Sequence, residues 1–90
     1  LMCATDPIAV SLLPFLQANG LRVPEDVAVT GFDNLQLSAR TSPALTTVQQ
    51  DFSALAQISG ELLLTAMEGG GAPAKLRQTP VSLVVRESTR

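Results

Sequence analysis

Two short apolar runs near the start of the chain limit how it can fold. Leu1-Met2-Cys3-Ala4 is uniformly apolar, and Val27-Ala28-Val29-Thr30 is a run of β-prone or small residues. The second run suits a strand buried on both faces, as a parallel sheet requires. Between them lies a segment of helix length. Asp6 is a good N-cap, and Pro7 a good first helical residue because its missing N–H would be unpaired there in any case. Ile8, Ala9, Leu12, Leu13, Phe15 and Leu16 recur at mostly helical spacing, and Asn19-Gly20 supplies a left-handed stop. Leu21 is placed to be the apolar partner of a Schellman motif. Pro14 conflicts with this pattern: inside a helix it removes the bond to the carbonyl of Val10 and clashes with it, at a cost of about 3 kcal/mol. A kink or break is expected there. A strand, a helix and a second parallel strand, in that order, make a right-handed crossover. Thr5 and Asp33 then lie at one edge of the sheet, each following the carboxyl end of its strand.

That edge is the place to look for a site, because ligands of open α/β sheets sit outside the carboxyl ends of the strands. Gly31 lets the backbone turn or approach something closely, and Phe32 adds bulk beside it. Asp33 and Asn34 extend a polar patch where the strand ends. An acidic side chain there accepts hydrogen bonds from a sugar or a base. The competing reading is that Asp33 only starts an Asx-turn that carries the chain out of the sheet.

Further on, residues 35–43 are irregular, and Ser42-Pro43-Ala44 breaks any helix before the β-prone run Leu45-Thr46-Thr47-Val48-Gln49. Asp51 is placed to cap the next helix. Phe52, Leu55, Ala56, Ser59, Leu62, Leu63, Ala66 and Met67 form one stripe at helical spacing, so this helix is amphipathic. Gly60 costs up to about 1 kcal/mol there relative to alanine and is read as marking a close contact with another element. Gly69-Gly70-Gly71 ends the helix, residues 72–78 form a linker, and Pro80-Val81-Ser82-Leu83-Val84-Val85 is a final strand entered through a proline.

Ninety residues, 46% of them hydrophobic but only 3% aromatic, build one small domain or part of a larger one, of marginal stability alone. Help from a partner subunit is therefore expected. The net charge of −2 and six scattered basic residues lack the electrostatic footprint of a nucleic-acid surface, so this stretch does not grip DNA unaided. One cysteine, Cys3, and no histidine exclude an internal disulfide and a Cys/His zinc cluster, and favour a cytosolic setting with Cys3 a buried, inert thiol. No apolar run is long enough to cross a bilayer, and no membrane partner is expected. The opening Leu1-Met2-Cys3-Ala4 reads as the middle of a strand, as in a fragment whose upstream part is absent.

Enzyme chemistry finds little footing. The triple glycine follows a helix, whereas a phosphate-cradling loop places its glycines between a strand and a helix and closes on Lys-Ser or Lys-Thr. An aspartyl phosphoacceptor at Asp33 needs a lysine on a later strand, but Lys75, the only lysine, lies in the linker. A nucleophilic triad lacks its histidine base. Nothing positive supports a carboxylate pair for glycoside hydrolysis. No catalytic residue, cofactor or metal is assigned, and Arg22, Glu25, Asp26 and Glu68 read as solvated surface.

The segments Leu21-Arg22-Val23-Pro24-Glu25-Asp26-Val27, Gly31-Phe32-Asp33-Asn34, Pro43-Ala44-Leu45-Thr46-Thr47-Val48 and Leu83-Val84-Val85-Arg86-Glu87-Ser88-Thr89 follow in one order with short spacings. Together they closely resemble the C-terminal portion of LacI/GalR-family transcriptional regulators, over essentially the whole chain. The resemblance implies an α/β, periplasmic-binding-protein-like (type I) effector domain: a parallel sheet with flanking helices, two subdomains and a cleft between them. Residues 1–43 would belong to the C-terminal subdomain. Residues 44–70 would be a crossover strand and a helix of the N-terminal subdomain, and residues 71–90 a linker and returning strand. The fragment would carry parts of both subdomains.

By position, Asp33 looks like the family's acidic effector contact, and Thr5 stands where an asparagine often touches the effector. Asp6 matches a family aspartate and is read as a cap. The face of the first helix, including Val10 and Leu13, resembles a dimer surface, as does the region of Arg40 and Thr41. Pro14 departs from the family pattern, and Ala56 stands where a glycine is frequent. The resemblance implies a cytoplasmic, homodimeric repressor-type regulator without enzymatic activity. It would sense a small effector, a sugar first and a nucleoside or purine next, and contact operator DNA only through an absent N-terminal headpiece. The alternative is a periplasmic sugar-binding protein of a transporter, with the same fold.

Overall fold

The computed structural model describes residues 1–69 and 77–90. Gly70, Gly71, Lys75 and most of the expected linker lie outside the described residues. The chain divides into two compact units, one of Leu1–Gln49 with Ser82–Arg90 and one of Gln50–Val81.

Along the chain the order of elements is helix α1 (Asp6–Ala18), a 3₁₀ turn (Gln36–Ala39), strand β1 (Thr47–Gln50), helix α2 (Phe52–Met67), strand β2 (Val81–Val84) and a second 3₁₀ turn (Glu87–Thr89). Strands β1 and β2 pair with each other. The crossover at the start of the chain is present as isolated parallel bridges, Met2 with Thr30 and Thr30 with Thr46, rather than as continuous strands. Its hydrogen bonds run from Cys3 N to Thr30 O (2.8 Å), from Thr30 N to Leu1 O (2.9 Å) and from Gly31 N to Thr46 O (2.9 Å). Residues 27–30 are not buried on both faces as expected: Val29 is fully buried, Val27 partly so, and Ala28 is exposed. The side chains therefore alternate between a face packed on α1 and an open one, as the two-residue period of extended chain dictates.

The core is formed by Ala9, Leu13 and Leu16 of α1 with Val23, Val29 and Leu45. Cys3, half-buried, packs against it, as do Val10, Leu12 and Val27. Helix α1 ends as its Asn19-Gly20 pair predicts: Gly20 has φ +79°, Gly20 N donates to Gln17 O (3.1 Å) and Leu21 N donates to Leu16 O (3.0 Å), the backbone pattern of a Schellman motif. No break occurs at Pro14, where the helix continues to Ala18. Pro14 is exposed while Leu13 and Leu16 on either side are buried, so packing holds the helix through the lost hydrogen bond.

The second unit is dominated by helix α2 (Phe52–Met67). Asp51 caps it as expected, its carboxylate accepting from Ala54 N at 3.0 Å. Gly69, with φ +77°, follows the last turn. Gly60 departs from expectation: among the described residues nothing lies within 4 Å of where its side chain would be, so no close contact among them explains it.

Candidate functional site

The edge where the first two extended segments end is built around Asp6. This residue opens α1, and its backbone N donates to Phe32 O at 3.0 Å, tying the end of one segment to the end of the next. The side chain is 1% exposed. One carboxylate oxygen accepts from the Thr47 hydroxyl (2.6 Å) and the other from Leu35 N (2.8 Å). A buried carboxylate needs such donors, and the first turn of a helix further favours negative charge. Asp6 is thus not the cap expected of it. The N-cap position is Thr5, in extended conformation and making no side-chain capping bond. A local rule suggested the cap, whereas distant partners claim the carboxylate.

Gly31 makes this arrangement possible. A Cβ there would collide with the Asp6 carboxylate and crowd Leu45 Cδ2 at 3.0 Å. The absence of a side chain therefore lets the extended segment and the helix start meet over a buried carboxylate.

Immediately after comes a pair of left-handed residues, Asp33 (φ 106°) and Asn34 (φ 52°). Neither is glycine, and such geometry persists only where the surroundings over-determine it. Asp33 N donates to Val48 O (2.8 Å) and Asn34 N to the Thr47 hydroxyl (3.2 Å). The Asn34 amide group donates to Gln49 Oε1 (3.2 Å), and its oxygen accepts from Arg86 Nη2 (2.8 Å). Arg86 also donates through Nη1 to Ser38 Oγ (3.0 Å) and Leu45 O (2.9 Å). The half-buried Asp33 is thereby presented by a loop fastened on several sides, at the edge that Thr5 shares.

Thr5 and Asp33 are the expected effector contacts, and the hydrogen bond from Asp6 N to Phe32 O brings their segments together. Sequence reasoning missed Arg86, Thr47 and Ser38. The one available signal was an arginine directly after an apolar strand run, where a charge invites the question of its partner. Of the expected dimer residues, Leu13 is 2% exposed in the core, which removes it from any surface. Val10 is half-buried against that core, Arg40 is exposed, and Thr41 is half-buried with its hydroxyl 2.8 Å from Pro43 O.

Residues 1–89 match the family described as periplasmic binding protein-like domain. The chain is 44% identical to an uncharacterized HTH-type transcriptional regulator, YvdE, of Bacillus subtilis (strain 168), over 98% of this chain and 28% of that protein. Among solved structures, the Lac repressor dimer bound to operator and the anti-inducer ONPF superposes with a TM-score of 0.80 at 38% identity, covering 98% of this chain and 26% of that one. The chain belongs to the periplasmic-binding-protein-like domain of LacI-family regulators. A complex of the transcriptional regulator CelR with cellobiose gives a TM-score of 0.85 at 32% identity, covering 97% of this chain and 27% of that one. This LacI-family chain therefore spans about a quarter of the length of the relatives it matches. Those relatives are transcriptional regulators. Among the described residues no group of three or more His, Cys, Asp or Glu is placed to hold a metal, and no helix is long and apolar enough to cross a membrane.

Proposed function

We propose that this chain is part of the effector-sensing and dimerising region of a cytoplasmic LacI-family repressor, and that its first unit contributes Asp33 and Thr5 to the binding of a sugar. The observation that carries the reading is the held left-handed pair Asp33-Asn34 at the edge shared with Thr5. A carboxylate in that position accepts hydrogen bonds from adjacent hydroxyls, the chemistry a sugar offers, and charged hydrogen bonds of this kind are the stronger ones. The neighbouring structures include a regulator with cellobiose and a LacI-family regulator with lactose, which supports a sugar as the effector class.

In the whole regulator of this reading, two subdomains close on the effector. Closure binds one arrangement better than the other and so shifts the population. In a homodimer, that shift alters how two DNA-reading headpieces, supplied by sequence outside this chain, meet half-sites about one helical turn apart. Val10, Arg40 and Thr41 contribute to the dimer surface. The test is Asp33→Ala in the intact regulator, titrated calorimetrically with lactose and cellobiose. A loss of about 10- to 100-fold in sugar affinity is expected, the equivalent of one or two charged hydrogen bonds, with operator binding by sugar-free protein unchanged. Unaltered sugar binding by the variant would remove Asp33 from the site.

A further inference from the structure

We infer that Arg86 is a positioning residue for the effector edge: its guanidinium holds Asn34, and through it the left-handed geometry that aims Asp33. The inference rests on the reading of Asp33 as an effector contact and adds a residue from the far end of the chain.

Three donor contacts of one side chain carry the argument. Arg86 Nη2 reaches Asn34 Oδ1 at 2.8 Å, while Nη1 reaches Ser38 Oγ at 3.0 Å and Leu45 O at 2.9 Å. The planar fork of an arginine is pre-organised to address several acceptors at once, which a lysine ammonium on a flexible stem does not reproduce. Among the described residues Arg86 forms no ion pair, the single salt bridge there being Arg22 with Asp26. Its charge is therefore directed at neutral acceptors, and the loop gains the charge-assisted bonds. The backbone of Arg86 is fixed in turn, its N–H donating to the Thr46 hydroxyl at 2.8 Å, and Ser88 two residues on is fully buried. The guanidinium thus stands on a rigid base. Asn34 has φ 52°, a conformation a side-chain amide tolerates when something holds it. Freed from Arg86, Asn34 would keep its other bonds but lose this charged partner, and the pair would sample ordinary geometry with Asp33 turned from the edge.

The test uses the intact regulator with Arg86→Met, which keeps length without donors, and Arg86→Lys, which keeps charge without the fork. Amide hydrogen exchange at Asn34 and Leu35 is expected to rise at least tenfold in Arg86→Met and less in Arg86→Lys, with Cys3 and Gly31 amides unchanged. Equal rises at all four amides would make Arg86 merely structural, and no rise at Asn34 and Leu35 would overturn the inference outright. In calorimetric titration with cellobiose, Arg86→Met is expected to bind about tenfold more weakly, with Arg86→Lys between it and the parent. Wild-type affinity in Arg86→Met despite faster loop exchange would overturn the positioning role. A parent protein that binds neither cellobiose nor lactose would instead sink the sugar reading, leaving the exchange data to decide what Arg86 holds.

Discussion

The carboxylate of Asp6 occupies the space that a side chain at Gly31 would need. Two positions 25 residues apart are thereby locked to each other, one obliged to be small because the side chain of the other is buried against it. The pairing fixes where α1 starts relative to the extended segment that leads into Asp33.

Gly31→Ala should therefore be costly despite adding one methyl group. The new Cβ meets the Asp6 carboxylate, Leu45 Cδ2 and the Asp6 Cα, and backbone cannot step aside as a long side chain can. Overpacking of this kind costs about 1–3 kcal/mol, and displacing Asp6 from Thr47 and Leu35 adds to it. Chemical denaturation of the intact regulator would read the loss. Adding Asp6→Ala to Gly31→Ala should cost less than the sum of the two single changes, because the collision with the carboxylate disappears. Simple additivity would show that the two residues do not meet.

How much of this was readable beforehand depends on the reach of each interaction. The stop at Asn19-Gly20 and the cap at Asp51 are settled within a few residues, and both follow local rules. The meeting of the Thr5 and Asp33 segments follows from chain order and crossover handedness, and the bond from Asp6 N to Phe32 O is its expression. The role of Asp6 was not readable, because its partner Thr47 lies 41 residues away and the cap rule offered a nearer explanation. Arg86 was hidden for the same reason, its Asn34 contact spanning 52 residues. Leu13 looked like surface by resemblance and proved to be core, since an apolar stripe does not say which of its members face inward. Pro14 shows tertiary packing overriding a local breaker.

The Arg22–Asp26 pair offers a test by pH. Side-chain and then backbone hydrogen bonds from Arg22, aided by its charge, hold the Asp26 carboxyl down at about 2. Its folded value lies below its unfolded one, so its stabilising contribution is complete above the ordinary carboxylate value of 3.8 and is lost as pH falls toward about 2. Both groups are open to solvent, so the contribution is small and screened by salt. An NMR titration of the Asp26 carboxyl should find the lowered midpoint at low salt. Arg22→Gln should return it most of the way to normal, and a midpoint unchanged by that substitution would show that the pair is not formed in solution.

Ser88 marks the place where the end of the chain is stitched into the first unit. Its hydroxyl donates to Val29 O at 2.6 Å and accepts from Thr46 N at 2.8 Å, while its own N–H donates to Ala44 O at 2.9 Å. The side chain is fully buried, so water cannot replace it when it is removed. Ser88→Ala would deprive a buried N–H of its acceptor and a buried carbonyl of a donor, an asymmetry worth about 1–3 kcal/mol. Hydrogen exchange at the Thr46 amide should accelerate more than at the Cys3 amide, which bonds to Thr30 O on the far side of the same segment. Ser53→Ala, on the exposed surface of α2, is the matched control and should stay within about 0.5 kcal/mol of the parent. If the two substitutions cost the same, the hydroxyl of Ser88 is not what fastens the last turn, and the rigid base assigned to Arg86 loses its support.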